Sequence, residues 1–267
     1  MYEGLLAETV RIEGHNGDVI DAYFARPLSG GPYPSVVVVH HMPGWDEATK
    51  EITRKFAHHG YVAICPNLHH RVGPGSPDDQ AAAVRAQGGN PDAQFLGDAN
   101  GAIEYLNRLP YTTDKIGMIG FCSGGRQTYI AACRIPALSA AVDCWGGRVI
   151  AKPEEITERQ PVAPIEMTPE MSVPLLGIFG ADDASPTPEQ VAQTEDVLKQ
   201  HGKVYEFHMY EGAGHGFFAV DRPGYRPVQA TDAWQKVWAW YEKYLKGGSA
   251  SGATNGAATP VGATVGT

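Results

Sequence analysis

The chain has 267 residues, 43% of them hydrophobic and 19% charged, with a formal net charge of −9. That length suits one large core, and the unbroken alternation of strand-like and helix-like segments predicts a single α/β domain over residues 1–246. An acidic balance without any Lys/Arg cluster excludes the usual nucleic-acid or anionic-membrane binder, whose affinity rests on concentrated basic side chains.

Residues 1–11 carry glutamates and only short apolar runs, so neither a secretory leader nor a membrane span is read, and a cytoplasmic location is expected. Residues 5–12 and 19–26 flank Asn16-Gly17, a strong hairpin signal, and predict two antiparallel strands at a sheet edge. Short apolar runs follow at 35–40, 61–65, 115–120, 140–144, 175–180 and 205–210. Continuous runs of this kind suit strands buried on both faces of a mostly parallel sheet.

Helical segments lie between them. Residues 92–108 repeat Phe95, Ala99, Ala102, Ile103 and Leu106 on one face, and 233–245 repeat Trp234, Val237, Trp238, Tyr241 and Leu245; both stripes read as core. Thr187-Pro188-Glu189 is a well-formed start for a helix ending near Gln200, and His58 and His59 read as helix-end residues before Gly60. Residues 148–173, rich in Pro and Glu, predict a long surface excursion that is a candidate cover for an active site. Beyond Lys246, Gly, Ser, Ala and Thr dominate, and residues 247–267 are expected to be a disordered tail.

Four cysteines, Cys65, Cys122, Cys133 and Cys144, lack paired close spacing and read as reduced thiols. One stands apart. Gly120-Phe121-Cys122-Ser123-Gly124-Gly125 joins a strand to a helix, where a strained turn presents a nucleophile and its flanks at −2 and +2 must be small. Those flanks are Gly120 and Gly124 for Cys122, but Phe121 and Gly125 for Ser123, so the thiol is the expected nucleophile. A triad on such a sheet runs nucleophile, acid, histidine along the chain. Asp182 and Asp183 follow the 175–180 run, with Asp183 the favoured acid, and His215 follows the 205–210 run among glycines. The backbone N–H groups of Ser123 and of Met42, after the 35–40 run, are the candidate oxyanion donors.

The segments Tyr111 to Gly125 (YTTDKIGMIGFCSGG), Gly180 to Asp183 (GADD) and Gly212 to Phe218 (GAGHGFF) resemble the dienelactone hydrolase family, over about residues 5–245. The resemblance implies an α/β-hydrolase fold, with a mostly parallel central sheet flanked by helices and an antiparallel N-terminal hairpin. It further implies a Cys122-Asp183-His215 triad that hydrolyses a small-molecule ester or lactone through a thioacyl intermediate with no cofactor and no metal. Two departures stand out. His41 occupies the place where dienelactone-cleaving members carry a glutamate that manages the cysteine's proton, so it either favours the thiolate or lines the pocket. Ala219, four residues after His215, replaces an arginine that clamps the substrate carboxylate, which predicts a more neutral substrate.

His41, His70, Trp45, Trp145 and Arg126 are the candidate pocket residues, with Arg85 and Arg148 as weaker anion-binding candidates. An acyltransferase on the same triad, or a non-hydrolytic binding or isomerising protein of this fold, are the competing expectations. The chain is expected to act as a monomer or homodimer.

Overall fold

The computed structural model describes residues 4–247; the low-complexity tail read from the sequence lies outside the described residues, apart from Gly247. The described residues form eight strands, β1 (Leu5–Glu13), β2 (Val19–Pro27), β3 (Tyr33–Val39), β4 (Val62–Pro66), β5 (Thr112–Phe121), β6 (Ala140–Cys144), β7 (Leu175–Gly180) and β8 (Tyr205–Tyr210). They make one sheet in the order β1-β2-β4-β3-β5-β6-β7-β8. β1 and β2 pair antiparallel, β2 meets β4 antiparallel, and every pairing from β4 through β8 is parallel.

Between β1 and β2 the chain turns at Asn16 and Gly17, both at positive φ (57° and 81°), the backbone that an Asn-Gly pair adopts at least cost. The hairpin strands are only half buried, whereas β3, β4, β6 and β7 are buried throughout, as strands covered by helices on both faces must be. Successive residues of β3 serve opposite faces: Val37 and Val39 join one core cluster, Val36 and Val38 the other.

Six helices cover those faces: α1 (Glu47–His58), α2 (Pro77–Ala86), α3 (Asp92–Asn107), α4 (Ser123–Arg134), α5 (Pro188–Gln200) and α6 (Pro227–Leu245). Phe95, Ala102 and Leu106 of α3, with Tyr129 and Ile130 of α4, close one core. Phe56 of α1, with Trp234, Val237 and Tyr241 of α6, closes the other. Each large side chain sealed there contributes about 1.5–3 kcal/mol. Tyr241 keeps its hydroxyl satisfied inside that core by donating to the Met118 carbonyl at 2.9 Å. Tyr241→Phe is therefore expected to cost about 1 kcal/mol in denaturant titrations.

Residues 148–173 do not form the cover that their composition predicts. Val149, Ala163, Met167, Met171 and Val173 are buried in the core cluster of α3 and α4, and Tyr129 Oη lies 2.6 Å from Thr168 Oγ1. Short 3₁₀ turns at Pro153–Glu155 and Pro164–Glu170 let the chain lie against α4 without a regular helix. The apolar residues scattered among prolines and glutamates have no period, yet they suffice to anchor the segment. Among the described residues, no helix is long and apolar enough to cross a membrane.

Candidate active site

Parallel strands deliver their C-terminal ends to one edge, so the loops after β3, β5, β6, β7 and β8 converge there. Met42 follows β3, Cys122 follows β5, Trp145 follows β6, Asp183 follows β7 and His215 follows β8. Cys122 has φ 56° and ψ −117°, a conformation strained for a residue with a side chain, at the junction of β5 and α4. Its N–H donates to the Cys144 carbonyl at 3.0 Å and its carbonyl accepts from Arg126 N at 3.2 Å, which pins both sides of the turn. A Cβ on Gly120 would run into the Gly124 carbonyl, and one on Gly124 into the carbonyls of Val39 and His40. The tight turn therefore requires glycine at both flanks.

Asp183 is buried and its neighbour Asp182 is exposed. Asp183 Oδ1 accepts from Ser185 N at 2.8 Å, and Oδ2 lies 2.8 Å from His215 Nδ1. With the carboxylate accepting, Nδ1 carries the hydrogen and Nε2 is left to face the sulfur. Burial alone would lower the His215 pKa, but the hydrogen bonds and charges of Asp183 and Cys122 raise it to about 10. Burial pushes the Cys122 thiol up, yet His215 and the backbone N–H groups of Ser123 and Met42 outweigh it and leave the pKa lowered. The result favours a thiolate–imidazolium pair with two amides directed at the sulfur. At the other thiols burial prevails, raising Cys133 to about 12 and pushing Cys65 and Cys144 well above the ordinary thiol value.

Cys122 opens into a cavity of about 250 Å³. Apolar walls come from Ile52 of α1, Phe121, Trp145, and Phe218, Ala219 and Val220 of the loop after β8. That wall fills the role assigned from sequence to residues 148–173, none of which reaches it. Trp145 has φ 45° and its ring packs against Phe217 and Phe218, with centroids 5.1 and 5.0 Å apart. The loop holding it is fixed by Asp143, whose Oδ1 accepts from Gly146 N at 2.7 Å and whose burial raises its pKa to about 7.

Of the candidate pocket residues, His41 and Trp145 line the cavity and three others do not. Arg126 is 5% exposed and its guanidinium forks onto Asp92, at 2.6 and 3.1 Å, so it is committed within the protein. Trp45 donates from Nε1 to the Cys65 carbonyl at 3.1 Å, and its ring lies edge-on to Tyr23 beneath Lys50. His70 turns toward Asp21, its Nδ1 accepting from Asp21 N at 3.4 Å. Arg148 stays on its own loop beside Glu155. Arg85 is exposed and absent from the lining. His40 is buried between the His41 carbonyl, 2.8 Å from Nδ1, and Leu68 N, which donates to Nε2 at 3.1 Å. Burial, reinforced by His69, lowers its pKa to about 3 and keeps it neutral. Among the described residues, no three His, Cys, Asp or Glu side chains gather as metal ligands.

Sequence reasoning missed Asp46. Its Oδ2 lies 2.6 Å from His41 Nε2, while Oδ1 caps α1 by accepting from Thr49 N at 3.0 Å. Burial raises its pKa, but His41 and Thr49 together bring it down to about 2. The signal was present as Asp-x-x-Thr at a helix start five residues after His41.

A family model described as "Dienelactone hydrolase family" matches residues 20–245. A relative from Methylorubrum extorquens named "Putative carboxymethylenebutenolidase" is 33% identical over 244 residues, covering 90% of this chain and 82% of its own. One of the same name from Escherichia coli K12 is 34% identical over 233 residues, covering 85% of this chain and 84% of its own. The crystal structure titled "Putative Dienelactone Hydrolase" from Klebsiella pneumoniae superposes with a TM-score of 0.83 at 30% identity, covering 91% of this chain and all of that one (100%).

Proposed function

Because the chain belongs to the dienelactone hydrolase family, we propose that it hydrolyses a small carboxylic ester or lactone with Cys122 as nucleophile. The thiolate attacks the carbonyl carbon, and the N–H groups of Ser123 and Met42 receive the developing oxyanion. Collapse breaks the carbon–oxygen bond, and His215 gives its Nε2 proton to the departing oxygen, leaving a Cys122 thioester. His215, steadied by Asp183, then takes a proton from water as the water attacks the thioester. The acid departs and the proton returns the site to its thiolate–imidazolium state.

The observation that carries this reading is the line Asp183–His215–Cys122, with 2.8 Å between Nδ1 and Oδ2 and the sulfur's pKa drawn down beside two backbone amides. The small apolar cavity, with Ala219 in its wall, supports a compact and largely uncharged acyl group. Arg222 also lines that cavity, but its Nη2 lies 3.7 Å from Asp46 Oδ2 and is balanced by it.

The test is a screen of p-nitrophenyl alkanoates against γ- and δ-lactones, with intact-mass detection of an acyl group on Cys122 after rapid acid quench. Turnover with transient acylation is expected; turnover with no adduct under burst conditions would remove the thioester. The lowered Cys122 pKa makes a separate prediction. The pH midpoint for inactivation by iodoacetamide should lie below that of an ordinary thiol. A midpoint at or above about 8.5, the ordinary thiol value, would show that the site does not favour the thiolate.

A further inference from the structure

A second histidine in the cavity wall, His41, is held by a carboxylate, as His215 is. His215 and Asp183 approach Cys122 from the β7–β8 side of the sheet, while His41 and Asp46 approach from β3, the strand beside β5 on the other side. In both pairs a carboxylate fixes one ring nitrogen. At His41 the fixed atom is Nε2, held at 2.6 Å by an acid ionised at any ordinary pH, so Nε2 carries the hydrogen.

The other nitrogen, Nδ1, makes no hydrogen bond to the protein among the described residues. Yet His41 lines the cavity and its side chain is only 17% exposed. A substrate that fills an apolar pocket strips water from that nitrogen, and a polar atom left unpaired in such a place costs about 1–3 kcal/mol. The substrate must therefore bring a partner.

A hydroxyl group is the partner that suits the ring in either protonation state. It donates to Nδ1 of the neutral imidazole and accepts from Nδ1–H of the imidazolium. Its position on the substrate follows from the chain. His41 lines the cavity with Cys122 and directly precedes Met42, whose N–H faces the carbonyl oxygen in the reaction drawn above, which puts this residue on the carbonyl side of the acyl group.

We propose that His41, fixed by Asp46, is a specificity-determining residue that reads a hydroxyl close to the scissile carbonyl, making esters or lactones of hydroxy acids the preferred substrate class. The inference rests on the hydrolytic reading of the same site. Asp46 is a positioning residue: it holds the ring while capping α1 and meeting Arg222. Asn at position 46 would keep the cap but weaken the hold on the ring.

The test compares α-hydroxy-γ-butyrolactone with γ-butyrolactone, each rate divided by that lactone's own alkaline hydrolysis rate. The wild type is expected to favour the hydroxylactone by about tenfold or more in kcat/KM. His41→Leu should bring the ratio below about twofold, since the reading atom is gone. His41→Asn places an amide near the former Nδ1 and should recover part of the preference; Asp46→Asn should lose part of it. A purely structural role for His41 would lower both rates and leave the ratio unchanged.

A second measurement needs no turnover: protection of Cys122 from iodoacetamide by 2-hydroxybutanamide and by butanamide. The hydroxyamide should protect the wild type at about tenfold lower concentration, and the two should protect His41→Leu equally. Equal treatment of both pairs by the wild type, or a preference that survives His41→Leu, overturns the inference. Discrimination between the amides with neither lactone hydrolysed would instead leave the inference standing and remove the lactone reading.

Discussion

Cys122→Ala is expected to lower kcat/KM for any ester or lactone that the wild type hydrolyses by at least about 10⁴-fold. The size of the loss follows from where the thiol stands. Its backbone is held at φ 56° by a turn whose flanking glycines admit no side chain, so no neighbouring group can take over the attack. Ser123, the adjacent hydroxyl, opens α4 and offers its N–H to the sulfur instead. Cys122→Ser should keep a small residue of activity, because the amides and the His215–Asp183 pair survive while the weaker acid must be deprotonated at each turn. Steady-state rates with a circular-dichroism control decide the matter. Retention of activity within tenfold by folded Cys122→Ala would falsify the nucleophile assignment.

The second large effect concerns stability. Arg126→Met should cost about 3–5 kcal/mol, because Asp92 would be left charged and buried without its partner. For a domain of this size that is a drop in Tm on the order of 10 °C. The double variant Arg126→Met, Asp92→Leu should recover much of the loss, since an apolar pair of similar bulk avoids the charge altogether. KM should stay within about twofold in the folded fraction of either variant, because this guanidinium is turned away from the cavity. A large rise in KM without a loss of Tm would return Arg126 to the substrate site where sequence reasoning put it.

That misplacement shows which features were legible in the chain. The strands could be read because each is a short apolar run with polar or glycine-rich ends, and burial on both faces leaves no other pattern possible. The residues after β5, β7 and β8 could be read because a strand end and a tight loop fix their place without knowledge of distant partners. Arg126 could not, since its fate depends on Asp92 in another helix, and nothing local distinguishes a buried fork from a substrate clamp. Trp45 and His70 fail for the same reason: Cys65 and Asp21 capture them from neighbouring strands. The active-site cover was assigned to residues 148–173 because their Pro- and Glu-rich, aperiodic sequence follows a strand end, and the cavity wall is built instead in part by Phe218, Ala219 and Val220, close in sequence to His215. Asp46 was hidden by its double use, because a helix cap already accounts for a carboxylate at that position.

The sealing of Cys65, Cys133 and Cys144 inside the two cores has a chemical corollary. Toward peroxides, alkylating agents and mixed-disulfide partners, the native molecule behaves as though it held a single sulfhydryl, and it has no second accessible one to rescue a sulfenic acid by intramolecular pairing. Oxidative injury to the thiols therefore starts at Cys122, the proposed nucleophile, and repair must come from an external reductant.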